Sequence, residues 1–282
     1  MNSKNKPSTQ RARPPATLSR QVRRRASARL RRGPVHLFDY WDEIKSKLRA
    51  ASSVALFLDL DGTLAPLRKD PNEVTLDAST RQLLRRLTQH RCVTVVFISG
   101  RRRPDLLQRI RVPGAVYLGL HGLDRSGQAL DPPTALLRAK RLLAARLKDV
   151  AGIRIEDKNL CFTVHYRGAL SRNVRQARSV LGVVLAPFGS AIQVLKGKKV
   201  WEILPAEARG KGAAAQEVLA KMAGNVLPVY VGDDTTDESA FAALIRGVTV
   251  RVGRSEATRA RYRLRNPAEV KQFLSKLEAE IQ

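Results

Sequence analysis

The chain has 282 residues, of which 43% are hydrophobic, and its 52 Lys and Arg against 25 Asp and Glu give a formal net charge of +27. The apolar content excludes a wholly disordered chain, and no apolar run in the sequence approaches the ~20 residues that span a bilayer. Two cysteines are too few for a disulfide framework or a cysteine-rich zinc site, so we expect a reducing compartment and a cytoplasmic location. The high positive charge makes a nucleic-acid partner the first hypothesis to test.

The charge is concentrated at the start of the chain, where residues 1–33 contain 11 Lys or Arg and no acidic residue. We predict a disordered basic tail, because a segment rich in Arg, Ser, Pro and Ala buries too little apolar area to offset the entropy of ordering. Three roles stay open for it: a solvated tail, an arm that contacts nucleic acid or an anionic surface, and a transit-type presequence.

From residue 53 onward, strand-like and helix-like segments alternate, which is typical of a mostly parallel sheet with crossover helices. The first segments are strands at 54–60, 93–98 and 115–120, and a helix at 77–90. The next segments are a helix at 134–150, strands at 153–156 and 160–166, a helix at 171–185, and strands at 191–195 and 199–204. Because its strands are paired without crossover helices, this second stretch predicts an α+β insert with its own antiparallel sheet.

The alternation of helices and strands resumes after residue 210. We predict a helix at 211–223, a strand at 227–231, a helix from 237, a strand at 248–252 and a final helix from 267. The predicted fold class is therefore α/β, a Rossmann-like core with a mostly parallel sheet and an inserted α+β cap that acts as a lid. The predicted domains are the tail at 1–33, a discontinuous core at 34–124 and 205–282, and the cap at 125–204.

Two aspartates, Asp59 and Asp61, directly follow the first predicted strand, in the segment Asp-Leu-Asp-Gly-Thr. Residues two apart on an extended backbone point to the same side, and ligands of open α/β sheets bind beyond the carboxyl ends of the strands. A turn that ends the strand would explain one of these residues but not both. Because neighbouring carboxylates repel each other, the pair indicates a bound cation.

A second acidic cluster follows the predicted strand at 227–231. Its members are Asp233, Asp234, Asp237 and Glu238. Alone, the cluster could favour the N-terminal end of the next helix. Together with the first pair at an equivalent strand end it predicts a Mg²⁺ site, because oxygen ligands without nearby His or Cys favour Mg²⁺ over zinc.

Groups suited to phosphate lie between the two acidic clusters. Ser99-Gly100-Arg101 ends the second predicted strand, and Lys211 begins a helix. A hydroxyl, backbone amides and an ammonium group are donors that phosphate oxygens accept from. Each group alone fits a helix cap or a solvated side chain, whereas the ordered set of four motifs indicates a site that handles phosphate.

In this order, the motifs resemble those of the haloacid dehalogenase-like phosphatases: Asp59 to Thr63, then Ser99, then Lys211, then Gly-Asp-Asp with Asp237. The resemblance is closer to the trehalose-6-phosphate phosphatases and covers residues 53–244. Its further signatures are Gly-Leu-His-Gly at 119–122, His-Tyr-Arg at 165–167, 199–205 followed by Lys211-Gly212, and 231–241. Two positions depart from the family pattern, since Asp124 stands where Glu is usual and Leu204 where Arg is usual.

The resemblance implies a Mg²⁺-dependent phosphatase that converts trehalose 6-phosphate to trehalose and phosphate through an aspartyl-phosphate. Asp59 would be the nucleophile and Asp61 the general acid and base, and Ser99 and Lys211 would hold the transferred phosphoryl group. The implied Mg²⁺ ligands are Asp59, the backbone carbonyl of Asp61, and Asp233, with Asp234 and Asp237 in support. The candidate substrate-binding residues are Arg101, His121, His165, Arg167, Lys198 and Glu202.

Among the candidates on the cap, Glu202 has a physical argument of its own, because a lone acid between Trp201 and Ile203 in an apolar strand is costly unless it binds something. The others could equally lie on a basic surface. Two alternative functions stay open: a phosphatase of another sugar phosphate, of the sucrose or mannosylglycerate type, and a catalytically retired scaffold whose basic tail binds nucleic acid or anionic surfaces. We expect a disaccharide phosphate as the partner molecule and no membrane span, and the sequence is compatible with a monomer.

Overall fold

A seven-stranded parallel sheet forms the centre of the described chain, which comprises residues 33–125, 131–197, 199–254 and 257–281 of the computed structural model. Lys198 and the predicted tail up to residue 32 lie outside the described residues. The strands are β1 (Val35–His36), β2 (Ser53–Leu58), β3 (Val93–Ile98), β4 (Val116–Leu118), β5 (Arg154–Asp157), β6 (Phe162–His165), β7 (Ile192–Gly197), β8 (Val200–Pro205), β9 (Val226–Gly232), β10 (Val248–Val252) and β11 (Tyr262–Leu264). The large sheet has the order β1-β11-β10-β9-β2-β3-β4, and all its pairings are parallel.

Helices cover both faces of this sheet. The α-helices are α1 (Trp41–Ala50), α2 (Ala78–Gln89), α3 (Arg103–Ile110), α4 (Thr134–Leu147), α5 (Ser171–Leu185), α6 (Gly210–Leu219), α7 (Glu238–Ala243) and α8 (Pro267–Ile281). Short 3-10 helices lie at Leu37–Tyr40, Pro71–Glu73, Leu120–Gly122, Ala186–Ala191 and Thr235–Asp237. Alternate residues of β2 point to opposite faces: Leu56 and Leu58 pack with α1, α2, α3 and α8, and Ala55 and Phe57 pack with α6 and α7. The near-continuous apolar strands of the sequence are thus buried on both sides.

The second sheet is antiparallel, with the order β5-β6-β8-β7, and it lies in residues 134–205, which we call the insert. One face of this sheet packs against α4 and α5 through Phe162, Val164 and Trp201. The opposite face carries Thr163, His165 and Glu202, because neighbouring positions of a strand alternate between faces. The two sheets together confirm the predicted fold class.

The predicted domain boundaries stay a prediction, because Pro34–Gln282 is one unit by its internal contacts. Within the described residues, no helix combines the length and apolarity needed to cross a membrane. The cytoplasmic location stays a prediction.

The structure contains elements for which the sequence pattern predicts nothing, namely β1, α1, α3 and β11. The strands β1 and β11 pair in parallel through Val35 and Tyr262 at the sheet edge, and they have only two and three residues. Segments this short show no periodicity. The strand predicted at 54–60 ends earlier, at Leu58, because the Leu60 carbonyl accepts hydrogen bonds from Thr63, Leu64 and Ala65 and turns the chain.

Candidate active site

The carboxyl ends of β2, β3 and β9 bring three of the predicted site residues together. Asp59, Ser99 and Asp233 each directly follow one of these strands, and all three side chains are buried. From β2 the chain runs to β3 and β4 on one side, and β9, β10 and β11 lie on the other, so this is the point where the strand order reverses. A cavity of about 330 Å³ opens here, within the size range of small-molecule sites.

Lys211 reaches this cavity from the first turn of α6 and is 2% exposed. Its Nζ donates to Asp59 Oδ1 at 3.0 Å and to Asp237 Oδ1 at 2.8 Å. Burial lowers the pKa of Lys211, but the two carboxylates outweigh it and raise the pKa well above its usual range. Burial raises the pKa of Asp59 well above its usual range, although Lys211 opposes that shift. The site therefore holds a fixed cation directly beside the predicted nucleophile.

Asp237 is fully engaged by protein donors. Besides Lys211, its Oδ1 accepts a hydrogen bond from the Tyr230 hydroxyl at 2.8 Å, and its Oδ2 accepts from the Asp234 backbone N–H at 2.8 Å. Asp234 and Asp237 also cap each other at the 3-10 helix that precedes α7. Asp237 thus contacts Lys211 directly, and its predicted supporting role at the metal site or at Lys211 stays a prediction.

Three carboxylates could hold a metal ion, since Asp59, Asp233 and Asp237 offer oxygens that lie within 4.8 Å of one another. Gly62, with φ +81°, shapes this cradle, because a Cβ at that position would lie 2.1 Å from Asp233 Oδ2. The donor set consists of carboxylate oxygens, which suits Mg²⁺. Protein donors occupy both oxygens of Asp237, which favours a supporting role for this residue.

Asp61 lies beside this group but points to Arg101. Arg101 Nε and Nη2 donate to the two oxygens of Asp61 at 2.6 Å each, and its other contacts are Asp105 at 2.9 Å and the Pro71 carbonyl at 2.7 Å. Burial lowers the pKa of Arg101, but the bonds to Asp61 and Asp105 outweigh it and raise the pKa above its usual value. Arg101 lines the cavity, and in this conformation it orients Asp61.

The insert closes the cavity from the other side through Glu202. One oxygen of Glu202 contacts His121 Nε2, and the other accepts from Lys158 Nζ at 3.2 Å. Lys158 Nζ also donates to the Gly100 carbonyl at 3.0 Å, which joins the insert to the loop after β3. Burial raises the pKa of Glu202, but His121 and Lys158 outweigh it and hold the pKa well below its usual range. Glu202 thus has two partners, His121 and Lys158. This agrees with the expectation that a lone acid in an apolar strand binds something.

His165 and Arg167 also line the cavity, and His165 Nε2 contacts Glu156 Oε2 at 2.7 Å. Three further lining residues, Glu156, Lys158 and Thr163, were missed by the sequence analysis. A signal for one of them existed, because Thr163 is a polar position between Phe162 and Val164, as Glu202 is between Trp201 and Ile203. Glu156, Thr163 and Glu202 are opposite one another on β5, β6 and β8. The individual roles of all these residues stay predictions.

Comparison with solved structures identifies the fold. The C-terminal domain of Candida albicans trehalose-6-phosphate phosphatase aligns with a TM-score of 0.73 and 21% identity, over 84% of this chain and 96% of that chain. A haloacid dehalogenase-like hydrolase from Bacteroides thetaiotaomicron aligns with a TM-score of 0.58 and 15% identity, over 79% of this chain and 98% of that chain. Both alignments show that the chain shares the haloacid dehalogenase-like fold of these proteins.

The sequence comparisons identify the family. The family model described as trehalose-phosphatase matches residues 57–268, so the chain belongs to the trehalose-phosphatase family, as its motifs predict. Trehalose 6-phosphate phosphatase RA3 of Zea mays is 31% identical over an alignment that covers 79% of this chain and 69% of the maize protein. The trehalose-phosphate phosphatase of Mycobacterium ulcerans (strain Agy99) is 30% identical over an alignment that covers 90% of this chain and 70% of that protein. The protein is therefore an enzyme, a phosphoric monoester hydrolase.

Proposed function

We propose that the protein hydrolyses trehalose 6-phosphate to trehalose and phosphate, with Mg²⁺ and through a phosphorylated Asp59. The observation that carries the proposal is the position of the Asp59 carboxylate, buried at the end of β2, 3.0 Å from Lys211 Nζ and facing the cavity. The names of the similar proteins from maize and M. ulcerans support the substrate.

The first step is the attack of Asp59 on phosphorus. A bond forms between the carboxylate oxygen and phosphorus while the bond from phosphorus to the sugar oxygen breaks. Asp61 is paired with Arg101 in this structure, so it must leave Arg101 and take up a proton from solvent before it protonates the departing sugar oxygen. In the second step Asp61 takes a proton from water, whose oxygen attacks phosphorus and releases phosphate and free Asp59.

Lys211 and Ser99 hold the phosphoryl oxygens in both steps, because both side chains are buried at the cavity floor beside Asp59. Asp59, the Asp61 backbone carbonyl and Asp233 would hold Mg²⁺, with Asp234 and Asp237 in support. When bound, the ion neutralises the negative charge of the phosphate that the nucleophile approaches.

We assign selection of the sugar to the insert, acting as a cap over the cavity, together with the 3-10 helix Leu120–Gly122 of the core. His121 Nδ1 and Thr163 Oγ1 are buried atoms that make no hydrogen bond with any residue that the structure describes, and both residues line the cavity. Unsatisfied buried polar atoms are costly, so a sugar hydroxyl that bonds to them would be favoured over one that does not. His165, Arg167 and Glu202 complete the predicted sugar contacts.

The test is phosphate release by the full chain from trehalose 6-phosphate, with Mg²⁺ and with EDTA. We expect turnover that depends on Mg²⁺, and a loss of about a thousandfold or more in kcat for Asp59→Asn. The control is Asp42→Asn, an exposed position on α1, which should keep full activity. Undiminished turnover in EDTA would contradict the proposed requirement for Mg²⁺. Activity of the Asp59→Asn variant would contradict the assignment of Asp59 as the nucleophile.

Two further measurements address the substrate and the intermediate. Sucrose and mannosylglycerate phosphates should be hydrolysed far more slowly than trehalose 6-phosphate. Comparable rates on all of them would contradict the assignment of trehalose 6-phosphate as the substrate. Rapid acid quench and peptide mass mapping should find phosphate on Asp59 during turnover. Turnover without a phosphorylated chain would favour direct attack by water instead.

A further inference from the structure

The outer surface of the insert carries a concentration of positive charge that the proposed function does not use. The helices α4 and α5 pack side by side over the insert sheet, and neither contains an acidic residue. Their exposed basic residues are Arg138, Arg141, Arg146, Arg172, Arg175 and Arg178. We call the exposed residues of these two helices the outer face.

The arginines of the outer face have no partner in the part of the chain that the structure describes. None of the six makes a hydrogen bond or an ion pair with another of the residues that the structure describes. The contrast is α2, which also lacks acids, but whose Arg81 and Arg85 donate to backbone carbonyls and whose Arg86 pairs with Glu278. The guanidinium groups of the outer face therefore remain available to an external anion.

Large apolar side chains lie among these arginines. Leu142 is 39% exposed and Val183 is 63% exposed, although both helices have a separate buried stripe that packs on the insert sheet. Arg138, Arg141 and Leu142 have the spacing of neighbours on one helix face, and Val183 lies three turns after Arg172 on the same side of α5. The outer face thus combines cations with exposed aliphatic groups.

We propose that the outer face binds the surface of a lipid bilayer rich in anionic phospholipid. Arginines attract the headgroup phosphates, and the apolar side chains between them enter the region beneath the headgroups. Two helices side by side present a broad surface, whereas reading a nucleic-acid groove uses a single projecting helix. The outer face also has no aromatic side chain on which a base could stack.

The experiment is flotation of the full chain with phosphatidylcholine vesicles that contain or lack phosphatidylglycerol. The test variant is Arg141→Gln with Arg175→Gln. The matched control is Arg91→Gln with Arg246→Gln, two exposed arginines that precede β3 and β10 at the amino ends of the strands of the large sheet. Both variants lose the same charge and keep residues 1–33, so any contribution of that basic segment is equal in both. We expect the partition coefficient of the test variant to fall about 30-fold and that of the control to fall less than about threefold.

A third variant, Leu142→Ser with Val183→Ser, separates lipid from other anions. It should weaken vesicle binding about tenfold or more without changing retention on a DNA column. Equal losses in the test and control variants, or no loss in either, would overturn the proposal. Vesicle binding that survives the Arg substitutions while DNA retention is lost would also overturn it, in favour of nucleic acid. Unchanged hydrolysis of a soluble sugar phosphate shows that each variant is folded.

Discussion

Replacing Gly62 by alanine tests how closely the metal cradle is packed. A Cβ at Gly62 would lie 2.1 Å from Asp233 Oδ2, and real Cβ atoms essentially never approach another atom below 3.0 Å. Asp233 must therefore retreat by about 1 Å, and displacements of this size in a catalytic constellation cost about 100-fold in rate. The matched control is Gly253→Ala, because Gly253 has the same φ of +81° and, its chain neighbours aside, no atom of the described residues lies within 4 Å of its ideal Cβ.

The two variants share the cost of a left-handed alanine, about 1–2 kcal/mol of folding stability, so their melting temperatures should fall together. They should differ in activity. We expect Gly62→Ala to lose about 100-fold in kcat/KM and to need a higher Mg²⁺ concentration for half-maximal rate, whereas Gly253→Ala keeps both values. The assay is phosphate release across a Mg²⁺ titration, beside thermal unfolding. Identical Mg²⁺ dependence in the two variants would refute the argument that Gly62 makes room for Asp233.

Three other predictions follow from single contacts. Asp77 caps α2 through Thr80 N at 2.9 Å, so Asp77→Ala should cost about 1 kcal/mol and lower the melting temperature by about 2–4 °C. Burial raises the pKa of Asp77, but the hydrogen bonds from Ser79 and Thr80 outweigh burial, so the pKa lies below its usual value. The stabilisation by Asp77 is therefore complete above about pH 4–5 and is lost as the pH falls toward the depressed pKa. A difference in melting temperature between the variant and the original protein that persists in strong acid would contradict this. Lys158→Met should reduce kcat/KM by about tenfold or more, because Glu202 and the Gly100 carbonyl both lose a hydrogen-bond donor. An unchanged kcat/KM would mean that this link between insert and core does not matter for turnover. Burial raises the pKa of the Cys161 thiol to about 12, so iodoacetamide near pH 8 should label it only after denaturation, which peptide mass mapping would show; labelling of the native protein would contradict its burial.

The sequence could predict those parts of the site that depend on strand ends. Parallel strands place their carboxyl ends along one edge, so Asp59, Ser99 and Asp233 could be expected together before any coordinates existed. The same reasoning assigned β5, β6, β7 and β8 to an antiparallel sheet, from the absence of crossover helices. Both inferences use local patterns whose geometric consequence is general.

The contacts between the insert and the core could not be predicted in this way. Lys158 lies in the turn after β5, and its bond to the Gly100 carbonyl joins residues 58 positions apart. That bond depends on how the insert lies over the core, which is set by the packing of Leu120, Leu160 and Leu204 at their junction. The ion pair between Asp61 and Arg101 is likewise invisible in the spacing of the two motifs, since it depends on the rotamer of a long side chain.

The glycines of the motifs show how close packing and chemistry are linked in this site. Gly62 suits a tight turn, as its positive φ confirms, but Gly100 and Gly232 have no positive φ and so need no glycine for their backbone shape. A Cβ at Gly232 would lie 2.3 Å from the Asp237 carboxyl carbon, and one at Gly100 would lie 3.0 Å from the His121 ring. Gly232 therefore requires glycine for space, because it lets Asp237 reach Lys211. Gly100 leaves room for His121 to reach Glu202, and a Cβ there would be a tight contact. Gly62 and Gly232 thus mark where the carboxylates of Asp233 and Asp237 approach the backbone, which explains why a glycine adjoins each acidic cluster.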